Sequence, residues 1–275
     1  MRKIAGNDII IDKMIAGDNE IIFNLISLIR SDEKAMIFTD DKSYIVAQSN
    51  PLAPIWVYWN ENADAQTESD IVYILSGLIE KNKSVHINAQ NGFIQRIFER
   101  LSLDKGYLFS EYMPMNVYAC HEVKTIACKG KVEMPSAEYK ERITLLVKQM
   151  AKDAENYDMS NEEAEEIANA YEDSDDLFLW NDNRIVALAR IAHKDEKYAR
   201  INTVVTDREY RGKGYAKMLV GKISQNVLDS GLIPMLYADA RNPYSNAVYQ
   251  KLGYLQMGQI TEYAVSCGIK NKVEY

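Results

Sequence analysis

Between Asp207 and Ala216 the chain reads Asp207-Arg208-Glu209-Tyr210-Arg211-Gly212-Lys213-Gly214-Tyr215-Ala216, a glycine-bearing loop with basic side chains at short spacing. Set between a strand and a helix, such a loop can receive an anion. The first amides of a helix have no intrahelical acceptor, point outward together and carry partial positive charge. Gly212 and Gly214 let the backbone approach a ligand closely, because no Cβ stands in the way. From Asp207 to Lys222 there are five basic side chains (Arg208, Arg211, Lys213, Lys217, Lys222) and two acidic ones (Asp207, Glu209) on a chain whose formal charge is −8. A phosphorylated ligand suits that island. The plainer reading is a Gly-Lys-Gly turn joining a strand to a basic helix. The loop fits neither the Gly-x-x-x-x-Gly-Lys-Ser/Thr of a nucleotide P-loop nor the dinucleotide Gly-x-Gly-x-x-Gly.

The elements that position this loop follow from periodicity. Strand Ala199–Thr206 leads into it, and a helix runs to about Asp229 with Ala216, Leu219, Val220, Ile223 and Val227 on one face. Upstream, charged helices are expected over Ala137–Asp153 and Asn161–Glu172, the second opened by the cap-like pair Ser160 and Glu163. Strands at Leu177–Trp180 and Arg184–Ala192, separated by Asn181-Asp182-Asn183 and followed by Lys194-Asp195-Glu196, predict antiparallel hairpins. Downstream come a strand at Ile233–Ala238 and a short helix opened by Asn242-Pro243-Tyr244-Ser245-Asn246, reaching Tyr249 and Gly253-Tyr254.

The amino-terminal half reads as mixed α/β: a helix over Asp18–Arg30, strands at Ala35–Thr39, Tyr44–Gln48 and Ile55–Trp59, a helix from Glu68 to Lys81, a strand at Ser84–Ala89 and a helix from Gly92 to Leu103. Extended chain follows from Tyr107, and Lys129-Gly130-Lys131 with Pro135 is the clearest turn-rich interruption. For 275 residues two domains are the natural division, here 1–125 and 126–275.

Hydrophobic residues at 47% and charged residues at 26% fit a folded globular chain. The negative charge disfavours a general nucleic-acid binder, whose affinity comes from neutralising phosphates, and suggests a cationic acceptor. No apolar run approaches the roughly 18 residues of a spanning helix, and Ile9–Ile11 is too short for a signal segment. Cys120, Cys128 and Cys267 are odd in number and lack Cys-x-x-Cys pairing, which points to a reducing, cytoplasmic compartment. Cys120-His121 with Cys128 lacks recognised metal spacing, so buried thiols are the expectation and no metal is called for.

Arg211-x-x-Gly214-x-Ala216 matches the Arg/Gln-x-x-Gly-x-Gly/Ala signature of the GNAT superfamily of acetyl-CoA-dependent N-acetyltransferases, and Asn242, Tyr249 and Gly253-Tyr254 resemble that superfamily's second half-site. The resemblance covers roughly Asp176–Tyr263. It implies an α+β chain whose C-terminal domain is a mixed, mostly antiparallel sheet flanked by helices, with an N-terminal α/β domain that weakly resembles a degenerate acetyltransferase-like half. That half is open to three roles: walling the substrate cleft, mediating a homodimer contact, or stabilising.

For the site, the resemblance implies a cleft where two central strands splay apart. Val204, Val205 and Thr206 would pair through their backbone with the pantetheine arm of acetyl-CoA. Arg211 and the segment Gly212, Lys213, Gly214, Tyr215, Ala216 and Lys217 would hold its pyrophosphate. Asn242 and Asn246 would contact the cofactor from the other side, and Tyr249 would protonate the departing thiolate. The plainer reading of Tyr249 is one of 18 tyrosines packing on an amphipathic helix.

Many members carry a glutamate base where this chain has Tyr237. Asp239 and His193 are substitutes, although a turn cap and an exposed, idle histidine are their plainer readings. The expected activity is direct transfer of an acetyl group to a primary amine of a small molecule or peptide. The alternative is a CoA-binding regulatory or scaffold protein without turnover. Transfer of longer acyl groups is a third expectation.

Overall fold

The computed structural model describes residues 1–82, 84–124, 129–172 and 174–267. They fall into two compact units. The first holds Met1–Val117, Ala238–Arg241 and the chain from Met257 onward; the second holds Tyr118–Tyr237 and Asn242–Gln256.

The first unit begins with β1 (Arg2–Ile4), the short helices α1 (Ile10–Met14), α2 (Asp18–Ile22) and α3 (Asn24–Arg30), and strands β2 (Met36–Thr39), β3 (Tyr44–Gln48) and β4 (Ile55–Trp59). Then come α4 (Ala65–Lys81), β5 (His86–Ala89), α5 (Phe93–Lys105) and β6 (Tyr107–Ala119). The single helix expected over 18–30 is broken at Phe23, whose φ of −108° and ψ of 27° leave the helical range. Its ring is buried and meets Tyr58 edge-on at 5.1 Å, a tertiary contact that the 3.6-residue period on either side does not register. Strands β1 to β4 pair antiparallel in sequence order, and β5 joins β4 in parallel. A parallel return requires a crossover, which α4 provides.

In the second unit the described elements are β7 (Lys131–Glu133), α6 (Lys140–Glu155), α7 (Asn161–Ala170), β8 (Leu177–Asn181), β9 (Ile185–Lys194), β10 (Tyr198–Thr206), α8 (Tyr215–Asp229), β11 (Ile233–Asp239) and α9 (Pro243–Leu252), after which the chain continues as β12 (Leu255–Cys267). Strands β7 to β10 pair antiparallel, and β11 joins β10 in parallel. The expected cap of α7 is present as a full capping box between Ser160 and Glu163. Ile143, Leu146 and Val147 of α6 pack on Leu177, Leu179, Leu188 and Val205 of the sheet. The fold is thus a mixed sheet flanked by helices. Both units repeat one order: an antiparallel meander, a helix, a parallel strand, a helix.

The contiguous division at 125/126 differs from the units in three places, one of them the short segment Ala238–Arg241, which falls in the first unit. The first unit ends at Val117, and it takes back the end of the chain. Strand β12 pairs antiparallel with β5, Thr261 opposite Ala89 and Tyr263 opposite Ile87. Its Tyr263 and Val265 enter the core formed by α4, α5 and the strands they cover. No element is expected from the sequence over 255–267, and an alternating pattern would in any case not say which sheet a strand completes.

Candidate active site

The second unit places a fork beside the glycine loop. Strands β10 and β11 are paired only from Tyr198 opposite Ile233 to Arg200 opposite Met235, and beyond Arg200 the register ends. On its other edge β10 follows β9 with a bulge between Asn202 and Val205, where Thr203 has a φ of +54°. A bulge adds twist and bends the strand, turning the remainder of β10 from β11. Val204 lies in the bulge. Val205 is buried opposite Leu188, and Thr206 is paired with Ala187. The Thr206 carbonyl accepts from Gln149 Nε2 at 2.8 Å and Arg211 Nε at 3.2 Å.

After β10 the loop is held by three separate ties. Asp207 caps a 3-10 turn at Arg208–Tyr210 through the Glu209 amide and accepts from Arg142, which also reaches the Ile185 carbonyl. Burial alone would raise the Asp207 pKa, but these hydrogen bonds and Arg142 hold it below the ordinary carboxylate range. Arg208 and Arg211 both bond Asp153 of α6. Against the effect of burial, the two guanidiniums keep that carboxyl low as well. Tyr215 is buried, its hydroxyl on Asp182 of the β8–β9 turn. Two of the island's five cations are therefore spent on shaping the loop. Lys213 lies with its ammonium 4.8 Å over the Tyr210 ring.

What these ties leave projecting is Gly212 to Gly214. Both glycines have positive φ, +77° and +84°, and a Cβ built on either meets nothing within 4 Å. Gly214 is the N-cap of α8 and brings no side chain to its amides; the first intrahelical bond is Met218 N to Gly214 O. The amides of Tyr215, Ala216 and Lys217 thus precede the ladder and have no intrahelical acceptor. The corresponding helix of the first unit is closed differently. There Asp64 is the N-cap of α4 and accepts from the amides of Gln66 and Thr67, bonds that lower its pKa, the one from Thr67 most. A carboxylate already sits where an incoming anion would go.

Helix α9 opens on Asn242, whose Oδ1 accepts from the amides of Tyr244 and Ser245 at 3.1 and 3.2 Å, with Pro243 in the first turn. Asn246 is buried; its Nδ2 donates to the Asn242 carbonyl, and its Oδ1 accepts from Tyr118 at 2.8 Å. Both asparagines therefore build the helix start. Tyr249, one turn on, is buried between Tyr118 and Tyr254, with ring centroids 6.0 and 5.9 Å away. Its hydroxyl has no hydrogen bond among the described residues, whereas Tyr254 bonds Ser224 at 2.7 Å. Burial, then Tyr118, pushes the Tyr249 pKa up to about 12.

The helix ends at Gly253, with a φ of +102°, and a Cβ there would lie 2.4 Å from the Glu122 carbonyl. Gly253→Ala is expected to destabilise the protein by about 2 kcal/mol or more, from left-handed strain plus the contact. A denaturant midpoint equal to wild type would show that the 122–124 segment yields without cost.

Of the base substitutes, Asp239 accepts from the amide and guanidinium of Arg241, the arrangement of a turn cap. His193 is half-buried rather than exposed, and burial lowers its pKa. Cys120 is buried, its thiol pushed up by burial; Cys128 lies outside the described residues. Among the described residues no group of three His, Cys, Asp or Glu side chains is placed to hold a metal, and no helix is long and apolar enough to cross a membrane. Sequence reasoning missed Arg142, Asp153 and Asp182, which act from distant segments and leave no local pattern.

None of the curated proteins compared with the chain matches it. Among solved structures, a Drosophila protein superposes with a TM-score of 0.65 at 10% identity, covering 97% of this chain and 98% of its own. A GCN5-related N-acetyltransferase from Sphaerobacter thermophilus gives 0.63 at 13%, with 96% and 94% covered. An acetyltransferase of the GNAT family from Colwellia psychrerythraea gives 0.55 at 13%, with 96% and 98% covered. At these identities the likeness is one of fold, and it extends over both units. Residues 144–254 match the model of the Acetyltransferase (GNAT) family, and the chain therefore carries a GNAT acetyltransferase domain in its C-terminal half.

Proposed function

We propose that the second unit binds one acetyl-CoA and transfers its acetyl group directly to a primary amine. The observation that carries this reading is the uncapped start of α8 beside a forked strand pair. The amides of Gly212 to Lys217 would take the pyrophosphate, and the unpaired edge of β10 at Val204 would take the pantetheine amides. The acceptor's unprotonated nitrogen attacks the thioester carbonyl; the C–N bond forms, the C–S bond breaks, and the nitrogen loses a proton as the sulfur gains charge. Tyr249 is the hydroxyl that would meet that charge.

The first unit repeats the order of elements without an open helix start, which supports its reading as a degenerate half and a stoichiometry of one. A reducing, cytoplasmic setting accords with Cys120 and Cys267 as free thiols. The engagement of Asp239 by Arg241 favours, as a second reading, CoA binding without turnover.

Thiol release from acetyl-CoA across an amine panel, read beside calorimetry with CoA, separates the two. Binding at one site per chain with amine-dependent release supports transfer; binding with no release by any amine supports the second reading; no binding rejects both. Comparing acetyl-CoA with longer thioesters fixes the acyl group.

A further inference from the structure

On one face of the second unit's sheet stand three cationic or ionisable side chains that the reading above leaves without a task. Arg200 ends the paired part of β10, and it lies opposite His193 of β9, while Asn202 lies opposite Arg190. Cross-strand partners and residues two apart project to the same side of a sheet, so Arg190, His193 and Arg200 share a face. It is the face that α6 and α7 cover further along, because Leu188, two residues from Arg190, lies in their core. The Arg190 guanidinium also sits 5.4 Å over the ring of Tyr171, just past α7.

Arg190 Nε, Arg200 Nε and His193 Nε2 are all shielded from solvent and make no hydrogen bond among the described residues. Burial lowers the Arg200 pKa; Tyr237 acts to raise it and Arg190 to lower it further. Asp195 is the acid near His193, at 3.9 Å. Two guanidiniums that repel each other, each with an N–H directed at no acceptor, are costly unless an anion joins them. Both residues as a whole are only half-buried, although their Nε atoms are shielded. Arg200 stands at the root of the fork, where β10 and β11 part.

We infer that this face receives an oxyanion carried by the acceptor: the substrate is an amine that also bears a carboxylate or a phosphate, held by Arg200 and Arg190 while its nitrogen is presented at the fork. The inference rests on the acetyl-transfer reading and names its substrate class. It reverses the expectation of a cationic acceptor, because the charge of the whole chain is not the charge of this face. The planar guanidinium fork pairs with carboxylate and phosphate alike, so the probes must distinguish them.

Calorimetry on the full chain with CoA present would compare alanine and 2-aminoethyl phosphate with ethylamine and alaninamide. At least one oxyanion probe is expected to bind about tenfold or more tightly than both neutral-tailed amines, the scale of a lost charge-assisted contact. Arg200→Gln and Arg190→Gln are each expected to erase that preference while leaving CoA affinity within twofold, roughly the size of ordinary surface effects. Equal or better binding of ethylamine, no binding of either oxyanion probe at millimolar concentration, or a preference that survives in a folded variant overturns the inference. If both variants fail to fold, the wild-type ratio decides. Failure of CoA to bind would remove the acetyl-transfer reading itself, and it is read from a separate titration.

Discussion

Gly214→Glu is expected to raise the dissociation constant for CoA by about 100-fold or more, since like-charge juxtaposition in a binding site costs several kcal/mol, while the protein stays folded. Gly214 adopts a φ of +84° with open space around the position of a Cβ. In the free protein the substitution therefore meets backbone strain, about 1–2 kcal/mol, and no clash. Part of that is offset, because a carboxylate at a helix start interacts favourably with the exposed amides, by about 0.3–1 kcal/mol. The same interaction ruins the site: the new side chain takes the amides of Ala216 and Lys217 for itself, as Asp64 takes those of Gln66 and Thr67 in α4, and repels a pyrophosphate. Gly214→Ala carries the strain without the charge and is expected to lose far less. Thermal midpoints verify folding, and calorimetry with CoA reads the effect. Wild-type affinity in a folded Glu variant would reduce the loop to a connecting turn.

Tyr249→Phe is expected to lower turnover by about 10–100-fold, the range for one hydrogen bond to a charged atom and the low end of acid catalysis, with CoA affinity nearly unchanged. A hydroxyl held at a pKa of about 12 stays protonated through neutral pH. It is also a weaker acid than a thiol of ordinary pKa near 8.5, so complete transfer of its proton to the leaving sulfur runs uphill. Its contribution is a hydrogen bond that strengthens as sulfur gains charge, an interaction made in the transition state and therefore visible in turnover. The ratio of wild-type to variant turnover should be flat from about pH 6 to 9, as expected when the group does not titrate in that interval.

Tyr254→Phe is the control. Ser224 keeps its bond to the Val220 carbonyl when the Tyr254 hydroxyl is removed, so little change in rate is expected. Equal turnover of Tyr249→Phe and wild type would return Tyr249 to packing between Tyr118 and Tyr254.

Strand, loop and helix around Gly212–Gly214 were legible because each rests on local rules: alternation before Thr206, glycines at the turn, a 3.6-residue stripe from Ala216. The start of α9 was legible for the same reason, with Asn242 and Pro243 at its head. The tasks of the side chains were not. The resemblance alone implies Asn242 and Asn246 as cofactor contacts; the described side-chain bonds of Asn242 cap the helix, and those of Asn246 tie the helix start to Tyr118 of β6. Arg211 matched a signature by position, yet its guanidinium serves Asp153, a residue more than fifty positions earlier. Arg190 and Arg200 stand in strands where alternation records only a face, and the register that sets Arg200 opposite His193 and Asn202 opposite Arg190 contains a shift between Arg200 and Ile201 that periodicity does not announce.

The return of β12 to the first unit has a consequence for synthesis. Domains ordinarily fold in the order they leave the ribosome, but here the first unit lacks Tyr263 and Val265 of its core until β12 has been made. The second unit, which ends at Gln256, has its whole chain available sooner. At about 5–20 residues per second, the stretch from Ala89 to Cys267 takes roughly 10–35 s to translate, and throughout that interval β5 waits without the strand that pairs with it. A waiting edge invites other chains to pair with it. The part of this protein made first is thus finished last, and the nascent chain is most exposed to misassembly while its acetyltransferase domain is still being made.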